Sequence, residues 1–400
     1  KNCQSTKLQK IFSLGNLSFS GRFAKSFKEN IPKEKLNLIY CSECTLVQLD
    51  RSFNPNYLYG KSYGYRTGIN QTMTDHVKKT VKISSKMAKI KKNDHVLDIA
   101  SNDATLLNFY PKSIITMGID PLINKYKKYY KKINYKISNF FNIKQIQNII
   151  YKKKFKIITA LSVFYDLRNP NKFLYEVSQL LDKDGIFVLE HADLYSIVKN
   201  NIFDTICHEH LCYFSSTVLI DMLKKNGLRV FKHEFNNING GSSRYYICLK
   251  DAKIKTNNSV NKILNLERKF NLNKISKLKN FYNRIKLETQ KLKKLIKKIK
   301  QKNLTIHGYG ASTKGNILLQ YSNIGVKQID YIADRNPLKY NLYTPGTKIK
   351  IISEKKSRLI NPNYFLVLPW HFKKEILSRE LKIRNKGTKF IFPLPKLKII

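Results

Sequence analysis

At 400 residues the chain is too long for one ordinary core, and its 42% apolar residues are enough to fold two or three domains. Lys and Arg outnumber Asp and Glu by 75 to 27, a formal charge of +48, but lysine exceeds arginine 63 to 12 and is spread along the whole chain; that pattern argues against a nucleic-acid reader, which would use more arginine. No run approaches the roughly 18 apolar residues of a membrane span and the first residues are polar, so the expectation is a cytoplasmic protein with neither a membrane segment nor a secretory signal.

In a reducing compartment the six cysteines point to metal or chemistry rather than to disulfides. Cys41-Ser42-Glu43-Cys44 lies between strand-like Leu38-Ile39-Tyr40 and Leu46-Val47-Gln48-Leu49, and a hairpin knuckle of this kind puts two thiolates on one side, as two corners of a zinc tetrahedron require. Cys3 is a third candidate ligand. The fourth is not visible, and the position three before Cys3, outside the chain, is a natural place for it; free thiols on a hairpin are the alternative. Residues 57–68, dense in tyrosine and glycine, wall a pocket or turn a corner.

An amphipathic helix is expected over Thr72–Met87, then a buried strand at His95–Ala100 running into Ser101-Asn102-Asp103-Ala104 and a helix starting near Thr105. Strand, small-residue loop and helix N-terminus make a nucleoside cradle. A second strand, Ile114–Ile119, ends at Asp120, 22 residues after Asp98, where a carboxylate can accept hydrogen bonds from a ribose diol. A third ends around Asn139 and Phe140. Phe155–Val163 reads as a central parallel strand, Asp166–Leu181 as a helix and Ile186–Glu190 as the next strand, so the repeated units imply a doubly wound α/β sheet.

Ile206-Cys207-His208-Glu209-His210-Leu211-Cys212-Tyr213-Phe214 packs two imidazoles, a carboxylate, two thiols and a phenol into nine residues. A structural histidine pair or a metal site would carry the same letters. From Lys274 to Lys300 apolar or neutral residues recur every three or four positions, which predicts a long bridging helix. The last hundred residues restart an α/β pattern: strand Leu304–His307, glycine loop Gly308–Gly315 containing Tyr309 and Lys314, helix Asn316–Tyr321, and strands at Ile329–Asp334 and Tyr364–Leu368. That loop suits a phosphate, with Lys314 to neutralise it, or is a structural turn.

In this order the knuckle CSECTLVQL, the loop SYGYRTGIN, the strand VLDIASNDATLL, FDTICHEHLCYFS, the Gly240-Gly241-Ser242-Ser243-Arg244 run, GYGASTKGNILLQY and DYIADRNPLKYNLYTPGTKI resemble the S-adenosylmethionine-dependent C-methyltransferases that act on nucleotide-linked keto-deoxysugars. The resemblance covers essentially the whole chain. It implies a small zinc-binding N-terminal lobe (1–70), a Rossmann-like methyltransferase domain (71–255), a linking helical segment (256–302) and a C-terminal Rossmann-like domain (303–400), with the nucleotide sugar held between the last two. The implied sets are Asp98, Ala100, Asn102, Asp120, Asn139 and Phe140 for S-adenosylmethionine; Arg244, Lys314 and Tyr309 for the sugar nucleotide; and Cys3, Cys41 and Cys44 for Zn²⁺.

Methylating carbon needs a base that removes a proton beside a ketone, and imidazole suits it. The resemblance assigns His210 as that base and Glu209 as its orienting or electrostatic partner, with His208 in support; Tyr65 or Tyr213 would donate to the enolate oxygen. Two departures stand out. Ala100 and Ala104 replace customary glycines, at about 1–2 kcal/mol if either site is left-handed, and Cys207 stands where some relatives carry tyrosine. The alternatives are an O- or N-methyltransferase and an inactive basic binding protein.

Overall fold

The computed structural model describes residues 1–59 and 64–400; the part of the tyrosine- and glycine-rich loop at 60–63 lies outside the described residues. Three sheets organise the chain. The first is antiparallel, β1 (Leu8–Ser18), β2 (Lys33–Cys41) and β3 (Val47–Leu49), and its far edge is β9 (Cys212–Tyr213), contributed from the middle of the sequence. The histidine-rich segment is therefore stitched to the cysteine-bearing lobe, with the Leu49 N–H donating to the Leu211 carbonyl at 2.9 Å.

The second sheet holds β4 (His95–Ile99), β5 (Ile115–Ile119), β6 (Tyr135–Ile137), β7 (Phe155–Leu161), β8 (Leu181–His191), β10 (Leu228–Asn236) and β11 (Ser242–Leu249) in the order β10-β11-β8-β7-β4-β5-β6. Strands β4 to β8 are parallel, whereas β11 runs antiparallel to both β8 and β10. Its centre is the near-uniform apolar run Phe155–Ala160, buried on both faces apart from Lys156, as a parallel sheet covered by helices requires. Connections leave β4 toward β5 on one side and return to β7 on the other, so the switch point, where ligands bind in open α/β sheets, lies at the carboxyl ends of β4 and β7.

The third sheet repeats the plan with β12 (Ile306–Tyr309), β13 (Tyr331–Asp334), β14 (Ile351–Ser353), β15 (Tyr364–Val367), β16 (Lys389–Phe392) and β17 (Lys398–Ile399), ordered β14-β13-β12-β15-β16-β17 and parallel except for β17. Helix α1 (Gln71–Ala88) is capped by Asn70, whose side chain accepts from the Met73 N–H, and buries Met73, Val77, Thr80, Val81, Ser84 and Ala88. Helix α3 (Ile275–Gln301) buries the expected 3–4 stripe from Leu278 to Ile299. Its Tyr282 stacks on Phe12 of β1 at 4.6 Å, and its Lys300 pairs with Asp330 beside the third sheet at 3.5 Å. The bridge thus touches both outer units.

Two helices differ from expectation. No α-helix follows the β4 loop: the chain makes only a 3-10 turn at Leu107–Phe109, because Pro111 pushes Tyr110 to an extended conformation and leaves too few residues for helical turns. The helix expected from Asp166 is α2 (Pro170–Leu180), starting at a proline behind the Asn169 cap, while Phe164–Asp166 form a separate 3-10 turn.

Candidate active site

One cavity of about 620 Å³ joins the carboxyl ends of β4, β5, β7 and β8 to those of β12, β13 and β15. The two switch-point crevices thus open on shared space, of a size that takes small-molecule ligands.

At the β4 end, Asp120 is locked by backbone amides: Oδ2 accepts from the Asn102 N–H at 2.9 Å and Oδ1 from the Leu122 N–H at 2.7 Å. Burial pushes this carboxyl up to about 6, and Asp98, whose Oδ1 accepts from Thr159 Oγ1 at 2.5 Å, up to about 7. Asn102 Oδ1 accepts from the Thr67 N–H at 2.9 Å, Asp103 Oδ2 from the Gly68 N–H at 3.0 Å, and the Arg66 guanidinium lies 3.5 Å from Asp103. Residues 65–68 therefore strap the loop, an arrangement whose backbone contacts carry no sequence signal. Ala100, Asn102 and Ala104 all have left-handed φ, at +59°, +50° and +59°. Phe140 lines the cavity, whereas Asn139, whose Oδ1 accepts from the Phe140 N–H, lines an adjoining pocket of about 230 Å³. Paired acceptors at Asp120, a close-approaching loop and this apolar side pocket fit an adenosine-bearing cofactor.

The segment around His210 enters between the lobes, with the Leu211 N–H donating to the Tyr165 carbonyl at 2.8 Å. His210 Nδ1 donates to the Thr205 carbonyl at 2.7 Å, which fixes the tautomer and leaves Nε2 with its lone pair. Burial first, then the Lys314 charge, hold this imidazole down at about 3, so it is neutral. It lines the cavity, packed on Tyr165 at 4.2 Å. Glu209 also lines the cavity, yet its contacts go elsewhere: Oε2 accepts from Ser20 Oγ at 3.4 Å, and a Cβ on Gly21 would sit 2.5 Å from Oε1. The orienting partner of His210 is therefore Thr205 and not Glu209. Burial raises the Glu209 carboxyl, and beside it that of Asp166, a cavity residue the sequence did not single out.

Several candidates lie outside the cavity lining. His208 is buried between Phe19 and Phe53, its Nε2 3.2 Å from the Glu34 carbonyl oxygen, because the turn closed by His210 N–H to the Cys207 carbonyl sends the two imidazoles apart. Tyr213 is buried in the β3–β9 pairing. Arg244 is committed inside the fold: its Nε lies 2.7 Å from Glu190 Oε2, while His76 Nε2 lies 2.6 Å from Glu190 Oε1. Of that trio only Glu190 and His76 reach the cavity, and His76, on the side of an amphipathic helix, gave no signal. The glycine pair serves packing: Gly240, at φ +89°, lies under Trp370, whose Cη2 would be 2.3 Å from an added Cβ. Trp370 Nε1 donates to Asp204 Oδ2 at 2.8 Å, closing that interface.

Tyr65, 45% exposed, lines the cavity, and burial of its ring end there raises the phenol. Tyr309 borders it, but its hydroxyl donates to Glu380 at 2.7 Å and accepts from Arg379 at 2.5 Å, turned into its own domain. Lys314, in the first turn of α4 (Thr313–Tyr321), reaches the cavity and donates from Nζ to the Asn239 carbonyl at 2.8 Å.

Away from the cavity, the Sγ atoms of Cys3, Cys41 and Cys44 lie within 4.8 Å of one another, and those of Cys3 and Cys41 are 3.5 Å apart. Tetrahedral Zn–S bonds of about 2.3 Å put sulfurs about 3.8 Å apart, so the three fit one ion. Among the described residues no fourth side chain joins them.

Fold and site together define a class I S-adenosylmethionine-dependent methyltransferase with a zinc-binding lobe. Three family models match successive parts of the chain, a zinc-binding domain over residues 1–59, a methyltransferase domain over 70–233 and a C-methyltransferase C-terminal domain over 237–395. It is 27% identical over 367 residues to the C-methyltransferase NovU of Streptomyces niveus, covering 91% of this chain and 87% of that one. Solved structures with partial similarity include an S-adenosylmethionine-dependent methyltransferase from Clostridium acetobutylicum (12% identity, 44% of this chain and 92% of that one, TM-score 0.36) and magnesium protoporphyrin IX methyltransferase from Synechocystis (12% identity, 44% and 82%, TM-score 0.32).

Proposed function

We propose that this C-methyltransferase acts on a nucleotide-linked keto-deoxysugar in the cytosol, with His210 as the base. The observation that carries the reading is that His210 lines a cavity spanning both crevices while the Thr205 carbonyl holds its Nδ1, which leaves the lone pair on Nε2. A neutral imidazole has the lone pair to take a proton from the carbon next to the sugar ketone, and the enolate charge developing beside it offsets the low basicity that burial and Lys314 impose. When bound, S-adenosylmethionine supplies an electrophilic sulfonium methyl. Asp120, Asp98, Ala100, Asn102 and Phe140, which line the cavity, would hold it, with Asn139 lining the side pocket. Tyr65 closes that end, and Glu209 shapes the wall beside the base. The nucleotide lies along the loops after β12 and β13, whose Ala311, Asp334 and Asn336 line the cavity. The six free cysteines suit a reducing compartment.

The test is a panel of nucleotide-linked keto-deoxysugars offered to the purified protein with methyl-labelled cofactor. The expected product carries the label on the carbon adjoining the carbonyl; label on oxygen or nitrogen, or no transfer to any sugar, would contradict the reading.

A further inference from the structure

We infer that Lys314 stabilises the enolate oxygen formed when His210 takes the proton, a catalytic role that rests on the keto-sugar reading and replaces a grip on the diphosphate. Helix α4 packs against the 203–205 turn, and the carbonyl of Thr205 in that turn is the one that holds His210 Nδ1. The base and the cation therefore hang from one contact between the two units. Lys314 Nζ spends one N–H on the Asn239 carbonyl at 2.8 Å, leaving two for the cavity. Its seat is fixed from both sides: Gly315 leaves no room for a side chain against Leu368, and Trp370 presses on Gly240 next to Asn239.

The surrounding charges favour an anion forming there. On the 203–205 turn, Asp204 Oδ2 accepts from Trp370 Nε1, and burial raises its carboxyl. The other titratable neighbours are His210 and His371, both kept neutral by burial and then by the Lys314 charge, and the Cys207 thiol, which burial raises. Lys314 thus faces two neutral rings, a neutral thiol and one carboxyl already bonded to an indole. In the proposed step the C–H bond breaks and its proton goes to His210 Nε2. Its electron pair becomes the carbon–carbon double bond, and the carbonyl pair moves onto oxygen, which accepts from the Lys314 ammonium. When that carbon bonds to the methyl and the methyl–sulfur bond breaks, the carbonyl re-forms and His210 releases its proton to water. Preorganised donors at a developing oxyanion typically contribute on the order of 10²–10³-fold.

Lys314→Met, Lys314→Gln and Lys314→Arg in the full chain test this, using the keto sugar that the wild type turns over. With cofactor absent, exchange of the acidic C–H in deuterated water should fall about 10²–10³-fold in the Met and Gln variants, with partial rescue by Arg. Affinity for the parent nucleoside diphosphate should stay within about threefold, the change expected when only an interaction made in the transition state is lost. The acid limb of residual exchange should move to higher pH, because His210 loses its cationic neighbour. Exchange at the wild-type rate with diphosphate affinity down tenfold or more would overturn the inference in favour of a phosphate grip. Failure of all three variants to fold would reduce Lys314 to a structural tie. Absence of exchange in the wild type with every keto sugar would instead overturn the keto-sugar reading, and this inference with it.

Discussion

Ala100 has φ +59° in the loop after β4, a conformation that costs an L-residue about 1–2 kcal/mol and that glycine adopts freely. The departure from the family pattern was visible in the sequence, but its consequence was not, because left-handed backbone is a property of the fold. His208 and His210 show the same limit. Spacing of two puts both on one face of a strand, yet a turn at Cys207–His210 makes one a core residue and the other a cavity residue. The place of Asp120 after the second strand and on the cavity wall, by contrast, was legible from position alone, and there we propose it as the ribose acceptor. With its carboxyl raised to about 6, ribose hydroxyls favour the ionised form, so cofactor affinity should be full above that pH and decline as pH falls through about 6. Calorimetry across pH 5–8 on the wild type and on Asp120→Asn checks this: the variant should bind more weakly and lose that pH dependence. A wild-type affinity flat across pH 6 would place the ribose elsewhere.

At the scale of elements, amphipathic and buried periodicity gave α1, α3 and the central strands to within a few residues, because burial of one face is written into side-chain identity. The missing helix after the β4 loop was misread because the Pro111 effect on Tyr110 outweighs the apolar run before it. The pairing of β3 with β9 had no signal, since it joins segments more than 160 residues apart, yet it links the cysteine knuckle to the His210 segment: Cys41 ends β2, Cys44 lies in the turn to β3, and β9 follows His210 within two residues. Structural zinc contributes folding free energy directly. Removing it by chelation, or by Cys44→Ser, should lower the melting temperature and reduce methyl transfer while leaving cofactor affinity within about twofold, because such sites act through the fold they hold. Unchanged melting and unchanged transfer in metal-free protein would disconnect the lobe from the site.

For the whole molecule, two open α/β sheets present their switch points to one cavity, and the His210 segment enters where the antiparallel lobe, the central sheet and the C-terminal sheet meet. The order of the units was readable from motif order. The Arg244 assignment failed because a cation beside two glycines looks like a phosphate site in sequence, whereas in three dimensions it neutralises Glu190 inside the fold. The central proposal is that His210 Nε2 takes the proton that makes carbon nucleophilic. The direct measurement is exchange of the sugar's acidic C–H with deuterated water, without cofactor, in the wild type and in His210→Asn. The account predicts exchange in the wild type and a loss of about 10²–10⁴-fold in the variant, with the fold and S-adenosylmethionine binding retained; exchange at the wild-type rate in His210→Asn would contradict it.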